Sequence, residues 1–280
     1  MLLGIAALTL TGALAALGYV RYHERPRFPY MGQPLSEADY AALAARTHWH
    51  AQRLRVAPGL ELRGLVREPL SGAGTWVMLF GGNTPHMLAE GQQVLDGICA
   101  EHGWGGVVWA YRGFDSSGGA PDPATLEADA LKTYSKLLDE LKIEAGAVHV
   151  VGFSLGSSLA TAVAARAPTR PASLTLLAPM TVLYMGQPAQ WRLHRYETIK
   201  WLPYISSPTL VVHGRSDTVL GIDDARSVAS ALGNRARLVE LVGLGHDETP
   251  LSPAAQAITR EFIAGHPTAD LAPMGSTVRP

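Results

Sequence analysis

The sequence predicts an α/β fold, a mostly parallel sheet with helices on both faces. Two observations carry this. Short apolar runs alternate regularly with helical patterns along most of the chain, which is how successive βα units read. Those runs do not alternate apolar with polar residues, so the strands they form are buried on both faces, as parallel strands are. Composition agrees: 280 residues, 47% hydrophobic and 17% charged, suit one large domain with a substantial core.

Residues 1–20 contain no charged side chain. As a helix they would reach about 30 Å, the thickness of a bilayer's hydrocarbon core. They read as a membrane anchor, or as a cleaved secretory signal that would export the domain. A signal usually begins with a basic stretch, which is missing here. The alternative is a buried N-terminal helix of the domain, although the run is apolar on every face. Arg21, Arg25 and Arg27 follow, and positive charge tends to keep such a flank in the cytoplasm.

Residues 21–51 read as a linker and a short helix. Pro26, Pro29 and Pro34 punctuate the linker, and Ser36 with Asp39 begins a helix that runs to about residue 50. The folded domain is expected over residues 52–266. Residues 52–56 and 60–67 flank Ala57-Pro58-Gly59 as an antiparallel hairpin. Strands follow at 75–80, 106–111, 147–153, 173–177, 209–213 and 237–242. Helices lie between and after them at 87–102, 124–141, 156–167, 223–232 and 253–264. Residues 180–204 interrupt the pattern as a small cap holding Tyr184, Met185, Trp191, Tyr196 and Trp201. The tail at 267–280, with Pro267, Pro273 and Pro280, is expected to be mobile.

The formal net charge of -1 and the lack of a long basic stretch argue against nucleic acid as a partner. The single cysteine, Cys99, excludes an intramolecular disulfide and a cysteine-based zinc site. It lies between Ile98 and Ala100 in an amphipathic helix, where a buried structural thiol is expected.

One motif carries chemistry. Gly152-Phe153-Ser154-Leu155-Gly156 falls where the strand 147–153 turns into the helix 156–167. A nucleophilic serine needs such a sharp turn, and side chains two residues either side of it would collide with the turn's neighbours. A serine hydroxyl also needs a base. His246, in Gly243-Leu244-Gly245-His246-Asp247, follows the last strand and is the candidate. The imidazole in turn needs a carboxylate to fix its tautomer. Asp217, in His213-Gly214-Arg215-Ser216-Asp217, follows the preceding strand. Its rivals are Asp223 and Asp224, placed as acids that cap a helix start, and Asp247, adjacent to the histidine. His213 and His149 lie in strands and read as core residues. Leu155 is expected to offer one backbone N–H to a developing oxyanion, and Asn83, in Phe80-Gly81-Gly82-Asn83-Thr84, a second.

Residues 52–264 resemble the α/β-hydrolase superfamily, in particular its compact bacterial esterase, thioesterase and serine-peptidase-like members. Four motifs carry the resemblance in order: Phe80-Gly81-Gly82-Asn83, Tyr111-Arg112-Gly113-Phe114-Asp115-Ser116, the turn at Ser154, and the loops of Asp217 and His246. Relatives often have a histidine where this chain has Gly81, and that histidine braces the oxyanion loop. The resemblance implies an eight-stranded sheet, no cofactor and no metal. It also implies a serine hydrolase that cleaves carboxylic ester or thioester bonds of a small-molecule or lipid-like acyl substrate, with Ser154, Asp217 and His246 as the triad. Tyr184, Met185, Trp191, Tyr196 and Trp201 either line an acyl pocket or pack the cap onto the domain, with Tyr184, Trp191 and Tyr196 the candidate substrate-binding residues. Two other classes stay open: an acyltransferase with an alcohol acceptor, and a non-catalytic binding protein of the same fold.

Overall fold

A computed structural model describes residues 27–70, 74–186 and 194–265. In chain order the main elements are β1 (Arg27–Phe28), α1 (Glu37–Ala44), β2 (Trp49–Ala57), β3 (Leu60–Arg67), β4 (Trp76–Phe80), α2 (Met87–Cys99), β5 (Gly105–Trp109), α3 (Pro123–Leu141), β6 (Val148–Phe153) and α4 (Leu155–Arg166). There follow β7 (Ser173–Leu177), β8 (Val182–Met185), β9 (Arg195–Glu197), β10 (Thr209–Gly214), α5 (Ile222–Leu232), β11 (Ala236–Leu241), α6 (Glu248–Leu251) and α7 (Pro253–Ile263).

Eight strands form one sheet in the order β11-β10-β7-β6-β4-β5-β3-β2. The β2–β3 and β3–β5 pairs are antiparallel, and the other five pairs are parallel. The apolar runs behave as the sequence implies. Every residue of β4, β5, β7 and β10 is buried, because helices cover both faces of the parallel part. Helix α3 starts where local chemistry dictates: Asp122 Oδ1 accepts from the N–H groups of Ala124 and Thr125, and Pro123 occupies the first turn. Helix α4 is small-residued and buried along nearly its whole length, so it lies tightly behind the central strands.

Two stretches differ from the sequence expectation. The helix expected to reach residue 50 ends at Ala44, and β2 begins at Trp49. The indole of Trp49 is buried there and donates to Asp96 Oδ1 at 2.9 Å, a tie to α2 that local pattern does not reveal. Residues 27–35 of the expected linker form a strap docked on the domain. Its strand β1 pairs in parallel with β8, which pairs antiparallel with β9, making a three-stranded cap sheet. The cap insert at 180–204 is thus built around β structure completed by the N-terminal strap.

The apolar run at 1–20 and the tail at 267–280 lie outside the described residues. Among the described residues no helix is long and apolar enough to cross a membrane.

Candidate active site

Ser154 stands between the C-terminal end of β6 and the first turn of α4, with φ 50° and ψ -118°. A non-glycine residue at positive φ is strained. Its N–H is held by Leu177 O at 3.0 Å. The flanking glycines are required by contact. A Cβ on Gly152 would lie 2.6 Å from Gly156 O, and one on Gly156 would lie 2.0 Å from Phe80 O. Both glycines therefore let the turn, β4 and α4 close onto one another.

The loop after β11 brings His246 over this turn. Its Nε2 lies 2.9 Å from Ser154 Oγ, and its Nδ1 lies 2.7 Å from Asp217 Oδ2. A carboxylate only accepts, so Nδ1 carries the proton and donates to Asp217. Nε2 is left to accept from the serine hydroxyl. The line is nearly dry: Ser154 and His246 are 8% and 9% exposed, and the Asp217 side chain is fully buried. The Phe153 ring packs on the imidazole, with centroids 5.1 Å apart.

Asp217 is held from all sides. Its Oδ1 accepts from the N–H groups of Val219 and Leu220, each at 2.8 Å. Its Oδ2 lies 3.2 Å from His213 Nε2 in addition to His246. Burial alone would raise this carboxyl. The hydrogen bonds from His213, His246 and Leu220 outweigh it and hold the group well below the usual carboxylate range. His213 is fully buried, as a core histidine would be. It also touches Asp217, and its Nε2 lies 2.9 Å from Leu220 O. The four-residue spacing on a strand-to-turn segment was the only sequence signal for that contact.

The rival acids point elsewhere. Asp223 is exposed and paired with Arg226, Asp224 accepts from the Thr181 N–H at 3.2 Å, and Asp247 is exposed at the start of α6. His149 is hydrogen-bonded to Ser173 Oγ at 2.7 Å. Cys99 is buried, and burial pushes its thiol up to about 12, so it is no thiolate at neutral pH. Among the described residues no group of histidine, cysteine or acidic side chains is placed to hold a metal ion.

The loop of Gly81, Gly82 and Asn83 lies against Ser154: a Cβ on Gly82 would sit 3.6 Å from Ser154 Cβ. Position 81 has no histidine, but the loop is braced otherwise. Tyr111 Oη donates to Gly81 O at 2.8 Å. Glu90 is a neighbour that the sequence did not single out. It is half-buried in the first turn of α2; burial raises its carboxyl, and a hydrogen bond with Thr84 and the nearby His246 partly offset this.

Of the cap aromatics, Tyr196 needs correction as a substrate-binding residue. Tyr184 and Tyr196 are buried in the cap sheet, and Tyr196 Oη is 3.0 Å from Tyr30 Oη. Tyr196 has no exposed surface to offer a ligand, so of the two readings it follows packing. Trp201 is half-buried beneath the Arg166 guanidinium. Trp191 lies outside the described residues.

A family model described as alpha/beta hydrolase fold matches residues 97–198. An uncharacterized protein of Mycobacterium tuberculosis is 28% identical over 64% of this chain and 66% of its own length. The alpha/beta hydrolase domain-containing protein aho-3 of Caenorhabditis elegans is 27% identical over 55% of this chain and 47% of its own length. The chain thus spans less than two thirds of the length of these relatives. Among solved structures, esterase Pf2001 of Pyrococcus furiosus superposes with a TM-score of 0.65 at 14% identity, covering 86% of this chain and 96% of that one. The 2,6-dihydroxy-pseudo-oxynicotine hydrolase superposes with a TM-score of 0.63 at 21% identity, covering 81% and 71%. Likeness at these identities concerns the fold.

Proposed function

The chain has the α/β-hydrolase fold, and we propose that it is a serine hydrolase cleaving carboxylic ester or thioester bonds through an acyl-enzyme. The single observation that carries this is the Ser154–His246–Asp217 line, with contacts of 2.9 and 2.7 Å in a nearly dry setting.

In the proposed reaction His246 Nε2 takes the Ser154 hydroxyl proton as Oγ bonds to the acyl carbon. The carbonyl electron pair moves onto oxygen, where the N–H groups of Leu155 and Asn83 receive it, helped by the positive end of α4. Collapse breaks the bond to the alkoxide or thiolate, which takes the proton from His246. Water then attacks the acyl-enzyme, giving a proton to His246. Ser154 takes that proton back as the acid departs. Asp217 stays ionised throughout and stabilises the imidazolium. The acyl substrate is small or lipid-like, the latter if residues 1–20 hold the domain at a membrane.

The test is Ser154→Ala assayed on a short p-nitrophenyl ester. Turnover should fall by about three to six orders of magnitude, as triad removals do. Unchanged hydrolysis would refute the assignment.

A further inference from the structure

A backbone donor in an oxyanion hole works only if it is fixed before charge develops. The loop that carries Asn83 begins with two glycines, which have no side chains to anchor it. The first side chain after Phe80 that ties the loop down is Asn83 itself, and it ties it to the N-terminal strap. Asn83 Oδ1 accepts from the Met31 N–H, and Asn83 Nδ2 donates to Pro29 O, both at 2.9 Å. Two residues on, Pro85 O accepts from the Gln33 N–H at 3.0 Å.

The strap is itself anchored at both ends. Upstream, β1 pairs with β8, the Gly186 N–H donates to Phe28 O at 2.9 Å, and Tyr30 Oη meets Tyr196 Oη and His194 Nδ1 at 3.0 and 3.1 Å. Downstream, the Asp115 N–H donates to Gln33 O, and the Leu35 N–H donates to Ser116 Oγ, both at 3.0 Å. Between them Gly32 lies flat on the Phe114 ring, where a Cβ would come within 2.5 Å of the ring.

We propose that the strap at residues 27–35 is part of the active site, and that the Asn83 side chain is a positioning residue: its paired hydrogen bonds to Pro29 and Met31 hold the oxyanion loop in place. This rests on the serine-hydrolase reading. It gives the loop a brace where Gly81 supplies none, and it links the oxyanion loop to the cap through one continuous segment.

Asn83→Ala keeps the backbone N–H and removes both strap bonds. The kcat on a short p-nitrophenyl ester should fall by about 10- to 100-fold, less than the loss of a whole oxyanion donor, with KM within about twofold. Amide hydrogen exchange at residues 81–84 and 30–33 should speed up together. Met31→Pro, which puts a ring carbon where the strap's N–H faced Asn83 Oδ1 at a position whose side chain is 42% exposed, should give a loss of the same kind, and carries the test if Asn83→Ala does not fold. Unchanged exchange would overturn the tie. Faster exchange with unchanged kcat would overturn the positioning role and leave the serine-hydrolase reading standing. If the wild type neither hydrolyses acyl substrates nor reacts with a fluorophosphonate at Ser154, that reading fails and the positioning claim falls with it.

Discussion

Gly156→Ala adds one methyl group where α4 crosses the end of β4. The added carbon would lie 2.0 Å from Phe80 O and 2.5 Å from Gly81 O, about 1.4 Å inside ordinary contact at the closer atom. Both oxygens are tied in place, since Phe80 is paired with Gly152 of β6 and Gly81 O accepts from Tyr111 Oη at 2.8 Å. Overpacking by a methyl group typically costs about 1–3 kcal/mol, and more when backbone must move. Replacing a helical glycine by alanine returns up to about 1 kcal/mol. We therefore expect a net loss of about 2 kcal/mol, from the upper end of that cost less the helical return. The same shift separates Ser154 and Leu155 from the loop at 81–83, the proposed oxyanion loop, and misplacement by about 1 Å costs on the order of 100-fold in turnover. Urea unfolding and p-nitrophenyl ester turnover measure the two effects. Gly146→Ala, where an added Cβ meets nothing within 4 Å, is the control and should stay within about 0.5 kcal/mol of wild type. Gly156→Ala with a wild-type urea midpoint and turnover within twofold would refute the packing argument.

Two further predictions concern His213 and His149. His213→Phe removes one donor from Asp217 Oδ2; turnover should fall roughly tenfold, the scale of one charge-assisted hydrogen bond. A less satisfied carboxylate favours the imidazolium more, so the acid limb of kcat/KM should move to higher pH; an unmoved limb would contradict the assigned contact. His149 is pushed down to about 4 by burial from an ordinary 6.5. Below pH 6.5 the unfolded chain therefore binds a proton that the folded chain refuses. Stability should decline as pH falls from 6.5 to 4, by about 3 kcal/mol at most, and this contribution should level off below 4. Urea unfolding of His149→Gln should show a shallower decline across that window, and an identical decline would count against the burial argument.

The sheet was legible because strands buried on both faces must be apolar throughout, so 75–80, 147–153, 173–177 and 209–213 stand out locally and match β4, β6, β7 and β10. Ser154 was legible for a related reason: Gly152 and Gly156 are dictated by contacts that leave no room for a side chain. What escaped depends on partners distant in sequence. The prolines at 26, 29 and 34 read as a linker, yet the strap between them is held mostly through its backbone atoms, to Asn83, Pro85, Asp115 and β8. Such bonds leave no mark on residue type. Trp49 ends a helical pattern because Asp96 awaits its indole, and Tyr196 turns inward because Tyr30 meets it. His213 reads as core from its apolar neighbours, and only the turn geometry shows that its Nε2 reaches Asp217.

Ser154 is proposed as a nucleophile made reactive by His246 and Asp217. Intact-mass and peptide-mapping analysis after treatment with a fluorophosphonate tests it most directly. A single adduct on Ser154 is predicted, absent in Ser154→Ala and strongly slowed in His246→Ala. No adduct, or an adduct on another residue with Ser154 unmodified, would contradict the claim.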